Sequence, residues 1–326
     1  MRICAPSPWA RDRRAKRGSR CSSAAPTALI TSPTPTACCS TLRRSSRTTV
    51  KENFIEVEGL RIRTLEEGSG PAVLLLHGAS LGSSADVWTG NLSDLAARGL
   101  RVIACDQPGF GLSDNPEDLS VAYRTRFVLA FMDALRLQKA RLIGHSQSGR
   151  IAVSLALEHG ERVPGVVVLG TGSLLPPLPG RGKPDAAEGE EGGSAEPTLE
   201  ETRRLLEENL FDRSLITPAA LQTRHSMSTG KNFQAFLERS RARGGGAKES
   251  KRESKPLWQR LGEVRSPLRL IYGREDRGHA AERAALAMEL HPGLDLHLID
   301  RCKHLIQWDA AQEFAALSGS FLAEKT

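Results

Sequence analysis

Nine residues limit what this chain can fold into more than any others: Arg141-Leu142-Ile143-Gly144-His145-Ser146-Gln147-Ser148-Gly149. A short apolar run, Leu142 and Ile143, ends in small residues. A helical pattern follows at once, with Ile151 and Leu155, and Ala152 and Ala156, four apart on one side. The stretch therefore reads as a strand, a very tight turn and a helix, with one hydroxyl at the apex. Such a turn crowds the backbone around Ser146, so the residues two before and two after it must be small, as Gly144 and Ser148 are. Glycine is usual at both places; Ser148 is a small departure, with Gly149 directly behind it. Taken alone, the stretch also reads as an ordinary Gly/Ser turn.

The surrounding pattern supplies the context. Phe54 to Val57 and Arg61 to Leu65 alternate, which predicts a hairpin around Glu58-Gly59. Ala72 to Leu76 is a continuous apolar run, expected of a strand covered on both faces. Arg101 to Cys105 and Gly165 to Leu169 read the same way, with helices predicted over Leu92–Ala97 and Ser120–Leu135. From 172 to 262 the alternation breaks. Leu175 to Pro197 is a Pro/Gly/Glu-rich loop, Thr198-x-x-Glu201 has the form of a capping box, and Thr217-Pro218 opens another helix. Arg241 to Lys255 is polar and basic and reads as loop. Strands resume at Leu268–Tyr272 and Leu294–Ile299, and a helix over Gln307–Leu322 ends the chain. The fold class is α/β, a mostly parallel sheet covered by helices on both faces. Its core runs over 51–171 and 263–326, with a helical lid inserted at 172–262.

Charge separates the first 50 residues from the rest. They hold nine Arg and Lys16 against Asp12, a net of +9 in a chain whose total is +7, which leaves −2 for the remainder. The basic balance thus belongs to the tail and does not indicate nucleic-acid binding. The tail lacks hydrophobic periodicity and is expected to be disordered. It reads as a targeting segment or as translated upstream sequence ahead of a start near Val50. No stretch is long and apolar enough to span a membrane. Only Cys105 and Cys302 lie outside the tail, on separate strand-like segments, which fits a reducing, cytoplasmic setting. His and Cys never cluster at metal-ligand spacing, so neither metal nor cofactor is expected.

A serine hydroxyl needs a base to take its proton, and the base must be held in one tautomer. In an open α/β sheet such groups sit at the carboxyl ends of strands. Ser146, Asp276 in Gly273-Arg-Glu-Asp276 and His304 in Cys302-Lys-His304 occupy such ends. Glu275 and Asp300 are rivals for the acid. Among the other histidines, His77 reads as structural, His145 as a shaper of the pocket, and His279 as too near Asp276 to bridge to the serine. A developing oxyanion needs donors; the backbone N–H groups of Gln147 and, after the Leu74–Leu76 strand, Ala79 are the candidates.

Together, His77-Gly78, Asp106-x-Pro-Gly-x-Gly-x-Ser113, the serine turn, Gly273-x-x-Asp276 and His304 resemble the α/β-hydrolase superfamily. Within the insertion, Leu210-Phe211-Asp212-x-Ser214-Leu215-Ile216-Thr217 followed by Arg224 is similar to the meta-cleavage-product hydrolases. Those enzymes cleave a carbon–carbon bond in vinylogous diketo acids from aromatic ring fission. The resemblance implies that Arg224 meets the substrate carboxylate, for which a guanidinium is suited. Three places depart from that family's usual pattern: His145 stands for Asn, Leu305 for the Trp after the catalytic histidine, and Ala79-Ser80-Leu81-Gly82 alters a Gly-rich loop. Ser80, His145 and Leu305 therefore join Arg224 as candidates for substrate binding. The expected partner is a small carbonyl compound, anionic if Arg224 meets it, and a homo-oligomer is left open. A carboxylic-ester hydrolase is the alternative reading, and a small-ligand binding module ranks below it.

Overall fold

The computed structural model describes residues 50–180, 195–244 and 255–324. The basic tail up to residue 49 and the middle of the Pro/Gly/Glu-rich loop, 181–194, lie outside them.

An eight-stranded sheet runs in the order β1-β2-β4-β3-β5-β6-β7-β8. Strands β1 (Lys51–Val57) and β2 (Leu60–Glu67) form the expected hairpin, and Glu58 and Gly59 both take positive φ, the turn that matches strand twist. β2 pairs antiparallel with β4 (Arg101–Cys105). From there on, β3 (Ala72–Leu76), β5 (Arg141–His145), β6 (Val166–Leu169), β7 (Leu268–Gly273) and β8 (Asp295–Ile299) pair in parallel.

The continuous apolar runs are explained by burial on both faces. Along β3, Leu74 and Leu76 pack into one layer while Val73 and Leu75 pack into the other. In β6, Val166 and Val168 face the first layer and Val167 and Leu169 the second. The first layer is closed by α2 (Val121–Ala134), α3 (Gln147–Glu158) and α7 (Ala280–Leu290), through residues such as Phe127, Phe131, Ile151 and Ala284. The second is closed by α1 (Leu92–Ala96) and α9 (Ala311–Glu324), through Leu92, Leu95 and Phe314. Each fully buried Leu, Val or Phe contributes roughly 1.5–3 kcal/mol relative to exposure.

Between β6 and β7 the chain leaves the sheet and forms α4 (Leu199–Asn209), α5 (Pro218–Ser226) and α6 (Lys231–Gly244). The capping box is formed: Glu201 N donates to Thr198 Oγ1 at 3.2 Å, and Thr198 N to Glu201 Oε2 at 2.6 Å. Pro218 occupies the first turn of α5, where its missing N–H costs nothing.

Three core loops hold these helices. Lys231, Asn232 and Arg239 of α6 donate to the carbonyls of Ser113, Gly111 and Gly109 at 2.5, 3.1 and 2.9 Å. At the end of α4, the Asn209 carbonyl accepts from Leu305 N at 3.0 Å. The Arg224 carbonyl in the last turn of α5 and Ser228 just beyond it come so near Gly82 that a Cβ there would lie 2.6 Å from the carbonyl oxygen and 2.2 Å from Ser228 Oγ.

Two boundaries differ from the sequence reading. The basic stretch from Arg241, read as loop, remains helical to Gly244. The last helix is broken into α8 (Ile306–Asp309) and α9, because Ala310 takes φ −129 and ψ 43.

Candidate active site

Ser146 stands between β5 and α3 with φ 54 and ψ −124, a conformation that L-residues rarely adopt. Its surroundings hold it there. Ser146 N donates to the Leu169 carbonyl at 2.8 Å, and Thr171 Oγ1 donates to the Ser146 carbonyl at 2.6 Å. The need for small neighbours is steric: a Cβ on Gly144 would lie 2.5 Å from the Ser148 carbonyl oxygen, and one on Gly149 would lie 2.0 Å from Thr171 Oγ1. Ser148 fits where glycine is usual because its hydroxyl has a use, donating to the His77 carbonyl at 2.5 Å.

His77 belongs to that same brace. Its Nδ1 donates to the Gly78 carbonyl at 2.7 Å and its Nε2 accepts from Gln107 N at 3.0 Å. Burial dominates its titration and lowers its pKa to about 3, so it stays neutral. Asp106 holds the adjoining loops, accepting from Ala85 N at 2.6 Å and Leu112 N at 2.7 Å. Gln107, Asp106 and Thr171 were not singled out by sequence reasoning. Only the Asp106-x-Pro-Gly pattern hinted at the first two, and nothing pointed to Thr171.

At the far ends of β7 and β8, His304 Nδ1 lies 3.0 Å from Asp276 Oδ2, and both side chains are buried. The rival acids are engaged elsewhere: Glu275 Oε2 accepts from Cys302 N at 2.9 Å, and Asp300 pairs with Arg274. Gly170, with φ +57, leaves room for the pair, since a Cβ there would sit 3.2 Å from His304 Nδ1 and 3.4 Å from Asp276 Oδ2. With Nδ1 engaged by the carboxylate, Nε2 is the ring nitrogen without a hydrogen bond among the described residues. Among the described residues Ser146 Oγ makes no hydrogen bond, to His304 or otherwise; such contacts often tighten only when substrate is bound.

The loop after β3 lies against the serine, where a Cβ on Gly78 would be 3.2 Å from Ser146 Cβ. Neither Ala79 N nor Gln147 N donates to any described residue, so both amides are available to an incoming oxygen. The Gln147 side chain is drawn to buried Arg124, which donates to its Oε1.

One cleft gathers Ser80, His145, Arg224, His304 and Leu305. Arg224 Nη2 donates to Ser80 Oγ at 2.7 Å, bringing α5 onto the loop that carries Ala79. His145 is buried, its ring centroid 4.8 Å from that of His304, and its Nε2 lies 2.9 Å from the His304 carbonyl oxygen. Burial first, then the charge of nearby His304, push the His145 pKa well below 6.5. Leu205 and Leu206 add an apolar wall from α4 that sequence reasoning read only as a helix face. No group of three His, Cys, Asp or Glu among the described residues is placed to hold a metal.

Comparison with known proteins agrees with this architecture. A family model described as alpha/beta hydrolase fold matches residues 71–311. The 2-hydroxy-6-oxo-6-phenylhexa-2,4-dienoate hydrolase of Burkholderia cepacia is 34% identical over 291 residues, covering 86% of this chain and 98% of that protein. The 2-hydroxy-6-oxononadienedioate/2-hydroxy-6-oxononatrienedioate hydrolase of Comamonas testosteroni is 32% identical over 295 residues, covering 85% and 97%. Among solved structures, a serine-to-alanine variant of the meta-cleavage product hydrolase from Pseudomonas fluorescens IP01, complexed with acetates, superposes with a TM-score of 0.69. It shares 27% identity and covers 84% of this chain and 98% of that one.

Proposed function

The chain belongs to the α/β hydrolase fold family, as an enzyme most like the meta-cleavage-product hydrolases, and from that premise we propose that it is a serine hydrolase of anionic ring-fission dienoates. The observation that carries the reading is the cleft in which Arg224, on the inserted helices, meets Ser80 beside His304. A guanidinium there suits a carboxylate, and the apolar wall of Leu205, Leu206 and Leu305 suits the rest of a conjugated acid. The helices α4 and α5, which carry Leu205, Leu206 and Arg224, serve as the lid of this cleft.

The resemblance to the meta-cleavage-product hydrolases implies the course of the reaction. His304 Nε2 assists ketonisation of the dienol, moving a proton from oxygen to carbon. It then takes the Ser146 proton as Oγ attacks the carbonyl, while the amides of Ala79 and Gln147 receive the oxyanion. The carbon–carbon bond breaks with its electron pair leaving on the departing carbon, which takes the proton that His304 received from Ser146. Water deprotonated by His304 then releases the acid from Ser146. Asp276 holds His304 in one tautomer and balances its charge when protonated.

A carboxylic-ester hydrolase is the second reading, favoured by His145 and Leu305, which differ from the residues usual in the C–C hydrolases. Two measurements decide. Ser146 should be labelled by a fluorophosphonate, and Ser146→Ala should lose both labelling and turnover. Arg224→Ala should lower kcat/KM for a ring-fission dienoate by about 10- to 100-fold while hydrolysis of p-nitrophenyl acetate changes little. Equal losses on both substrates would assign Arg224 to lid stability and favour the esterase. Absence of dienoate turnover in the parent enzyme would do the same.

A further inference from the structure

Resting on the reading of Ser146 as nucleophile, we infer that Thr171 is a positioning residue: its hydroxyl holds the Ser146 carbonyl and thereby aims the Gln147 N–H at the oxyanion. Thr171 Oγ1 donates to the Ser146 carbonyl at 2.6 Å. That carbonyl and the Gln147 N–H belong to one peptide unit, which is planar and trans, so the two bonds point in opposite directions. Fixing the oxygen on one side fixes the direction of the hydrogen on the other. Gln147 N donates to no described residue, which leaves its hydrogen to a ligand.

The hydroxyl has no better use. It carries one hydrogen, and the Leu169 carbonyl, the other acceptor within reach, is 3.5 Å away. Thr171 is 2% exposed and does not line the cleft. Gly149 makes room for it, since a Cβ there would lie 2.0 Å from Thr171 Oγ1. Its position is set from β7, the strand that leads to Asp276. Tyr272 Oη donates to the Thr171 carbonyl at 2.9 Å, and Gly170 N donates to the Ile271 carbonyl at 3.0 Å. The peptide that would receive the negative charge is thus held in place by the strand that leads to the acid.

Ser146 needs the hold. A φ of 54 with ψ −124 persists only where the neighbours over-determine it. Without the Thr171 hydroxyl, the Ser146 carbonyl keeps one donor among the described residues, Gly149 N at 3.1 Å, which belongs to the same turn and moves with it. The peptide is then free to rotate toward a commoner ψ, and the Gln147 hydrogen swings away from the oxygen of the attacked carbonyl. An oxyanion donor acts mainly in the transition state, so misdirecting it slows bond formation and leaves ground-state binding as it was.

Three variants test this: Thr171→Val keeps the shape without the hydroxyl, Thr171→Ser keeps the hydroxyl, and Thr171→Ala differs from the Ser variant by one oxygen. One readout is the rate at which a fluorophosphonate labels Ser146. The other is the affinity for 2-hydroxy-6-oxo-6-phenylhexa-2,4-dienoate of the same variants carrying Ser146→Ala. The Val and Ala variants should label about 10-fold more slowly than the parent and the Ser variant within about 2-fold of it, with dienoate affinity unchanged throughout. Should the Val chain fail to fold, the Ser and Ala pair carries the same comparison. Labelling at the parent rate in the Val or Ala variant overturns the inference. Equal slowing in the Ser and Ala variants does so too, because it assigns the effect to packing, and so does a loss of dienoate affinity that matches the loss of rate. If the parent turns over the dienoate and the labelling rates are all alike, the inference falls and the proposed function stands. A parent labelled at Ser146 that neither binds nor turns over the dienoate sinks the substrate reading, and the labelling rates alone then decide on Thr171. A parent that is not labelled at Ser146 sinks both.

Discussion

The carboxylate of Asp309 lies 2.9 Å from the amide of Lys303, the residue before His304. The same carboxylate accepts from Phe211 N at 2.9 Å and Asp212 N at 3.1 Å, in the segment that follows α4. A single acid therefore ties the inserted helices to the loop that carries the proposed base. Trp308 extends the tie by donating from Nε1 to the Val87 carbonyl at 2.8 Å.

Asp309→Ala leaves three amides without their acceptor. Hydrogen bonds to a charged group are worth roughly 1.5–3 kcal/mol, and the half-exposed site lets water recover part of that. A loss of about 2 kcal/mol in urea unfolding is expected, with a fall in kcat because Lys303 adjoins His304. Asp309→Asn, which keeps one acceptor oxygen, should recover part of both. Unchanged stability in the Ala variant would remove Asp309 from this role.

Gly170→Ala tests the packing around the His304–Asp276 pair. The positive φ alone costs an alanine about 1–2 kcal/mol, and its Cβ would press on His304 Nδ1 at 3.2 Å. Displacing a proton-transfer group by a fraction of an ångström should lower kcat/KM by about 10-fold or more. A lower Tm with unchanged kcat/KM would mean that Gly170 matters for the backbone only.

His77 should make stability fall in mild acid. Its folded pKa is lowered to about 3 from 6.5, so the unfolded chain binds the proton first as pH drops. Its contribution is fully present above pH 6.5 and declines through the window down to about pH 3, with a limiting slope of about 1.4 kcal/mol per pH unit. His145 acts in the same direction. Urea midpoints measured from pH 7.5 to 4.5 for the parent and for His77→Asn should converge as pH falls. Parallel curves would show that His77 is not held neutral in the native state.

Much of the architecture was legible because it depends on local constraints. An apolar run such as Ala72–Leu76 has to be buried on both faces, and the crowded turn at Ser146 calls for small residues two places to either side, Gly144 and Ser148. Glu58-Gly59 marked its hairpin, and Thr198-x-x-Glu201 its helix start, because turns and caps are satisfied within four residues. The placing of Ser146, Asp276 and His304 at strand ends follows from the same periodicity.

What the tertiary structure decided concerns partners distant in sequence. Glu275 and Asp300 are as near to β7 and β8 as Asp276 is, and only the fold directs them to Cys302 N and Arg274. The split of the last helix at Ala310 was hidden because its side-chain pattern stays helical; Asp309 is anchored by the nearby Lys303 amide and by those of Phe211 and Asp212, 98 and 97 residues away. Ser148 looked like an imperfect glycine until its hydroxyl met the His77 carbonyl, 71 residues earlier. Local sterics and periodicity can be read along one segment, whereas the direction of a hydrogen bond is set by whichever segment folding brings alongside.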